Sequence, residues 1–207
     1  MNAWQKRKRF VLKLSGNLLG DEDGQGLSAA AAVDLAERVK DTLKHDVEMA
    51  IVVGAGNIFR GQAASRKGMA RATADYMGML ATAINALALQ DALQAADVEA
   101  CVQTAIPLTG IADPFDRQKA IRALQKGTVV IFAAGTGHPF FTTDTTAALR
   151  ACEIDADAIL KGTRVAGVYS ADPESDDTAF RYARVSYSDA LEKRLKVMDS
   201  TAFSLCM

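Results

Sequence analysis

The sequence predicts an open α/β fold: a mostly parallel central sheet with helices on both faces. Three observations support it. Strand-like and helix-like runs alternate along the 207 residues with short connections, the pattern of strands joined by crossover helices. Three strand-like runs end directly in glycine turns, and parallel sheets gather such turns at the carboxyl ends of their strands. No internal repeat or low-complexity linker interrupts the chain. Its length fits one domain over residues 1–207, long enough to bury roughly 70% of its unfolded surface.

A strand at 9–14 rests on Phe10-Val-Leu-Lys-Leu14, with Ser15-Gly16 following at once. Ser28 is placed to cap an alanine-rich helix at 28–44. The strand at 48–53 contains Met49-Ala-Ile-Val-Val53 and opens into Gly54-Ala-Gly-Asn-Ile-Phe-Arg-Gly61. A helix at 71–96 carries Met77, Met79, Leu80, Ile84, Leu87 and Leu89. That density exceeds one helical stripe, so more than one face is covered; burial within the subunit and a subunit interface both fit it. A strand at 98–102 and a helix at 115–126 continue the alternation. The strand at 128–133 leads through Gly135-Thr-Gly-His-Pro-Phe-Phe-Thr-Thr-Asp144 into a helix at 143–153. Thr142, Thr143 and Asp144 stand where helix caps stand. A strand at 157–160 is followed by a hairpin and surface loop over 165–178, marked by Gly167 and Asp172-Pro173. The last full helix is expected at 187–195, with Ser188 near its start.

Composition excludes several classes. Lys plus Arg number 24 against 25 Asp plus Glu, a formal net charge of −1, so no global field favours nucleic acid or an acidic membrane. The basic run Lys6-Arg-Lys-Arg9 reads as a solvated lead-in to the first strand. Cys101, Cys152 and Cys206 are widely spaced, no C-x-x-C occurs, and the histidines are His45 and His138. A structural zinc site is not expected; free thiols in a cytoplasmic setting are. No signal peptide is expected. The most apolar segment, from Met77 to Leu93, is broken by Asn85, Gln90 and Asp91 and does not suit a bilayer.

The three glycine turns carry the chemistry. Glycines between strand and helix let backbone N–H groups face an anion, and a helix N-terminus adds a favourable dipole. Lys13, one residue before the end of an apolar strand, must snorkel or neutralise something anionic at the strand tip. Arg60 sits in the second turn. Together these suggest a site for several phosphates. No G-x-x-x-x-G-K-[ST] occurs, and Gly54-x-Gly56 lacks the third glycine of a dinucleotide fingerprint, so neither common phosphate-binding motif applies.

The motifs identify a relationship. Lys13-Leu-Ser-Gly16, Gly56-Asn-Ile-Phe-Arg-Gly61, Asp75-Tyr-Met-Gly-Met-Leu-Ala-Thr82, Ala134-Gly-Thr-Gly137 with Pro139-Phe-Phe-Thr-Thr-Asp144, Leu160-Lys161, Gly167-Val-Tyr169 with Ala171-Asp-Pro173, and Leu195-Lys-Val-Met-Asp199 occur in this order. In them the chain resembles the amino acid kinase family, and within it the bacterial uridylate kinase (UMP kinase) branch. The resemblance covers nearly the whole chain.

It implies transfer of the ATP γ-phosphoryl group to UMP, in pyrimidine nucleotide biosynthesis, with magnesium accompanying ATP and held mainly by phosphates and water. The catalytic group it implies is Lys13, Arg60, Asp144, Lys161 and Asp199. Lys13, Leu14, Ser15 and Gly16 match the ATP-phosphate loop. Gly56 and Arg60 also match the ATP side, while Thr163, Tyr169 and Asp172 match its nucleoside end. Ala55, Asp75, Thr136, Gly137, His138, Pro139, Phe140, Phe141, Thr142 and Thr143 match the UMP side. Asp144 could orient Lys13, hold magnesium through water, or cap its helix. No residue is expected to serve as a dedicated metal ligand. The resemblance also implies a cytoplasmic, allosterically regulated homohexamer built from dimers through the helix beginning near Asp75, with no nucleic-acid or membrane partner.

The match departs in places. Asn17 stands where an acid is common, Ala55 replaces a glycine, His138 an asparagine, and Ala166 an acid. Alanine at 55 would cost on the order of 1 kcal/mol if its φ were positive. Relatives continue beyond the helix near Asp199 into further strands, whereas this chain ends at Ser204-Leu-Cys-Met207; the C-terminal strands of the family fold are expected to be missing. A non-catalytic, nucleotide-binding or storage-type homologue on the same fold is the alternative function.

Overall fold

The computed structural model describes residues 7–163 and 165–207. Six strands form one sheet: β1 (Lys8–Leu14), β2 (Val47–Val53), β3 (Ala100–Thr104), β4 (Asp113–Pro114), β5 (Val129–Ala133) and β6 (Ala158–Lys161). Their order is β4-β3-β5-β2-β1-β6, and every pairing in it is parallel. The helices are α1 (Ala29–Leu43), α2 (Gly61–Arg66), α3 (Arg71–Ala95), α4 (Arg117–Gln125), α5 (Thr143–Glu153), α6 (Tyr187–Glu192) and α7 (Ser200–Cys206).

Successive strand residues point to opposite faces, and both faces are apolar. Leu14, Ile51, Val53 and Ile131 pack with Leu35 and Val39 of α1 and with Leu89 and Leu93 of α3. Val11, Val52, Val130 and Phe132 turn the other way, onto Leu124 of α4 and Ala147 and Ala151 of α5. Helices therefore cover both faces, as expected.

Five helices start on side-chain caps: the Ser28 hydroxyl accepts from Ala31 N–H, the Asp116 carboxylate from Lys119 N–H, the Thr142 hydroxyl from the N–H groups of Asp144 and Thr145, the Ser186 hydroxyl from Asp189 N–H, and the Asp199 carboxylate from Ala202 N–H. The end of α3 displaces the strand expected at 98–102. Asp97 adopts φ +60°, and the N–H groups of Asp97 and Val98 bond back to Gln94 and Leu93 carbonyls at 3.0 and 2.9 Å. This closure tucks Val98 under the helix, so pairing begins two residues later. The helix expected at 187–195 is shorter, with Ser188 near its start as expected and Ser186 as its cap. The hairpin over 165–178 extends further: Tyr169 pairs with Arg181.

The basic run is solvated only in part: Arg7 and Lys8 are exposed, but Lys8 and Arg9 already belong to β1. Lys6 lies outside the described residues, but Arg9 is 2% exposed. In the β1–β2 register Arg9 faces Glu48, and its Nε donates to Glu48 Oε2 at 2.6 Å, while its Nη1 donates to the Ile154 carbonyl at the end of α5. Burial requires such a partner for the charge. Among the described residues no helix is long and apolar enough to cross a membrane. At the sheet edge, Leu160 of β6 is 42% exposed.

Candidate active site

Strand order places the three glycine turns together. They follow β1, β2 and β5, which lie side by side in the sheet and run in one direction, so their carboxyl ends are neighbours. β6, on the far side of β1, adds a fourth tip.

Register then aligns the cations. Lys13 of β1 is the direct partner of Lys161 of β6, and in-register residues on parallel neighbours project to the same face. Both ammonium groups reach Asp144, the second residue of α5. Lys13 Nζ lies 2.8 Å from Asp144 Oδ1 and Lys161 Nζ 2.7 Å from Oδ2. The Lys13 contact is one of charge, since Oδ1 lacks an aligned hydrogen bond. Lys161 also donates to the Val197 carbonyl. Two lysines against one carboxylate leave a local charge of +1, on side chains 13–23% exposed.

Asp199 caps α7 and also ties that helix to α5. It accepts from Ala202 N–H at 3.0 Å, from Thr145 Oγ1 at 2.9 Å, and from Thr142 Oγ1. Burial pushes the Asp199 carboxyl up, but hydrogen bonds from Thr142, Ala202, Thr145 and Thr201 outweigh it and hold it below the ordinary carboxylate range.

The loops pack closely. A Cβ on Gly16 would fall 2.4 Å from Asn57 Oδ1 and 2.5 Å from the Gly54 carbonyl, so only glycine lets the first turn lie on the second. A Cβ on Gly54 would sit 3.3 Å from Gly16 N and 3.6 Å from Thr143 Oγ1, which brings the third turn into the same contact. Gly137 has φ +82°, with the Ala105 carbonyl 3.0 Å from where its Cβ would be. Ala55 is not among the residues with positive φ, so alanine there carries no left-handed strain.

Three cavities open around this junction. One of about 680 Å³ is lined by Lys13, Leu14, Ser15, Asn17, Lys161 and Thr163, with Asp21 and Glu22 near its rim. A second, about 630 Å³, shares Lys161 and Thr163 and adds Tyr169, Asp172 and Lys196. The third, about 270 Å³, is lined by Ala55, Arg71, Asp75, Thr136, His138, Phe141, Thr142 and Thr143. Arg60 is exposed; its Nε donates to the Gly56 carbonyl at 2.9 Å, beside Asn17 of the first turn. It therefore stands on the same side of the molecule as Lys13. Of the expected site residues, Gly16, Gly56, Arg60, Gly137, Pro139, Phe140, Asp144 and Asp199 line none of the three cavities. Phe140 forms an exposed loop tip with φ +73°.

Sequence reasoning missed the groups that hold this arrangement. Arg71 Nε donates to both oxygens of Asp75 at 2.9 and 2.8 Å, and its guanidinium lies 5.5 Å from the centre of the Phe140 ring. Asp75 in turn accepts from Phe140 N–H at 2.7 Å. Arg71 stands four residues before Asp75 at a helix start, a spacing that could have flagged the pair. Asn57 and Thr82 lie inside the matching runs and Asn85 interrupts the apolar segment, but nothing local reveals that Thr82 and Asn85 bond the loop backbone.

Residues 8–207 match the amino acid kinase family. Among solved structures, the UMP kinase of Bacillus anthracis superposes with a TM-score of 0.91 at 37% identity, over 96% of this chain and 82% of that one. The UMP kinase of Ureaplasma parvum gives 0.90 at 40% identity, over 98% and 86%. The uridylate kinase of Archaeoglobus fulgidus gives 0.68 at 31% identity, over 95% and 84%.

Proposed function

Because this chain belongs to the amino acid kinase family, we propose that it is a UMP kinase, transferring the γ-phosphoryl group of ATP to UMP to give ADP and UDP. The observation that carries the reading is the pair of ammonium groups, Lys13 and Lys161, brought to one carboxylate where four strand tips meet.

The acceptor is a phosphate with a second pKa near ~6, so it needs little deprotonation to attack. One of its oxygens bonds to the γ-phosphorus as the bond to the departing ADP oxygen breaks. The protein's task is to align two anionic groups and screen their repulsion. Lys13 meets the charge on the transferring group, and Lys161 stands beside it. Arg60, with Nη1 and Nη2 beyond its bond to Gly56, holds phosphate oxygens from the rim. Ser15, Gly16 and Gly56 offer backbone to the ATP phosphates, and Thr163, Tyr169 and Asp172 take the nucleoside. On the acceptor side Asp75 receives the ribose hydroxyls, and residues 136–143 enclose the uridine and its phosphate.

Magnesium suits this donor set. Asp144 Oδ1 is buried without an aligned hydrogen bond, and one carboxylate beside a triphosphate fits an ion that keeps most of its water. When bound, the ion would offset phosphate charge, and Asp144 would hold it through its water shell. We further propose assembly through α3, whose outer surface exposes Tyr76, Met77, Leu80 and Ile84 in an apolar stripe at helical spacing. The non-catalytic alternative draws no support from a site that keeps Lys13, Arg60 and Asp144 on one side.

The test is ADP release from ATP and magnesium with UMP as acceptor, set against CMP, glutamate, aspartate and carbamate. Turnover with UMP well above the other four is expected. Turnover with an amino acid or carbamate alone, or UMP binding without turnover, would overturn the reading.

A further inference from the structure

One helix, α3, places two buried polar side chains on the backbone where two neighbouring site loops begin, at Gly54 and Ala134. Thr82 is 4% exposed and Asn85 not at all, on a buried α3 face otherwise made largely of alanine and leucine. Thr82 Oγ1 donates to the Met79 carbonyl at 2.7 Å and accepts from Ala134 N–H at 2.8 Å. Asn85 Nδ2 donates to the Gly54 carbonyl and to Asn57 Oδ1, both at 2.8 Å, and its Oδ1 accepts from Asn57 Nδ2 at 3.1 Å. Asn57 Nδ2 also donates to the Gly26 carbonyl at 2.6 Å.

Both contacts fall at equivalent points. Gly54 is the first residue beyond β2 and Ala134 the first beyond β5, and these strands are neighbours. Three residues of helix advance about 4.5 Å, close to the ~4.8 Å between neighbouring strands. One turn of α3 thus grips the roots of two adjacent loops. Packing alone would be met by apolar side chains; polar groups this deep are costly unless bonded, and here their bonds go to loop backbone. Ala134 is held at φ +61°, a conformation alanine seldom adopts unaided.

We propose that Thr82 and Asn85 are positioning residues that fix the distance between the second glycine turn at Gly54–Asn57, which carries Gly56 on the ATP side and Ala55 on the UMP side, and the UMP-side turn beginning at Ala134. The inference rests on the kinase reading above. Each loop keeps its own internal contacts when the tie is cut, so binding of either nucleotide survives while their mutual alignment, and with it kcat, is lost.

The experiment measures kcat, KM for both substrates, calorimetric UMP affinity and melting temperature for wild type, Thr82→Val, Thr82→Ser, Asn85→Ala and, as a remote core control, Ile154→Val. Thr82 also borders the cavity of about 270 Å³ on the acceptor side, whereas Asn85 lines none of the three, so the expected result is a kcat at least tenfold lower in Thr82→Val and Asn85→Ala, UMP affinity within about threefold of wild type in Asn85→Ala, and recovery in Thr82→Ser. Should Thr82→Val yield no folded chain, Asn85→Ala decides in the same way. A kcat within twofold of wild type in these variants overturns the inference, as does a loss that Ile154→Val reproduces at equal melting temperature. A wild-type chain that neither binds UMP nor releases ADP removes the kinase reading, and the inference with it.

Discussion

Asp144→Asn tests the centre of the site most directly. In the folded chain its two carboxylate oxygens each face one ammonium, at 2.8 and 2.7 Å, and the three side chains are 13%, 14% and 23% exposed. Asparagine keeps the shape but removes the charge that lets two lysines share a largely buried space. Breaking a buried pair by removing one partner costs about 3–5 kcal/mol. Partial exposure of Lys161 allows some screening by water, which favours the lower end, about 3 kcal/mol. For a chain of this length each kcal/mol shifts the melting midpoint by about 2–4 °C, so a fall of about 6–12 °C is expected without nucleotide. The local charge rises from +1 to +2, so a triphosphate has more to neutralise. Saturating ATP should therefore raise the midpoint of the variant by more than it raises wild type. Thermal melts with and without ATP read both effects. A drop below about 2 °C, or an equal ATP shift in the two proteins, would refute the view that Asp144 holds the lysines against each other's charge.

Lys13→Ala should lower UMP-dependent turnover by on the order of 10²–10³, the loss seen when one stabilising donor is removed, with KM for UMP nearly unchanged in steady-state kinetics. Gly16→Ala should disrupt the first turn, because its Cβ would meet backbone at 2.5 Å; a lower melting point together with lost ATP binding by calorimetry is the expected outcome. Asp199 gives a pH prediction. Its carboxyl is held below the ordinary range by hydrogen bonds that outweigh burial, so it contributes stability above roughly pH 4 that disappears as pH falls through the lower folded value. The difference in melting midpoint between wild type and Asp199→Asn should shrink below that pH; a difference that stays constant down to pH 2.5 would count against it.

Much of this was legible in the sequence because strong local signals coincide with function. Glycine turns after β1, β2 and β5 mark the loops, and capping residues such as Ser28 and Thr142 mark the helix starts. What escaped is set by contacts across the sheet. The start of β3 moved because Asp97, not a glycine, takes the left-handed position that ends α3, and α5 ends on Asp155 at φ +53° in the same way. Arg9 looked solvated because nothing local reveals that Glu48 is its partner on the next strand. The short α2 and the two-residue β4 are too brief for any periodicity to register. Lys161 could be matched by motif, but that it meets Lys13 is a matter of register, which a linear pattern does not encode.

The overall charge of −1 is compatible with a cationic site because that charge is arranged by strand order. Fields from the whole chain nearly cancel, and at physiological ionic strength exposed charges are screened beyond about 8 Å. Recognition of a phosphate must therefore happen at contact. In the proposed reading Lys13 and Lys161 are suited to such contact because each stands at or next to the last residue of a strand, where the apolar core gives way to the loops. Placed two residues earlier in β1, the same lysine side chain would project toward the interior occupied by Val11 and would need its own buried partner, as Arg9 does. The position of a lysine along its strand, more than the number of lysines, decides whether this fold can meet a phosphate.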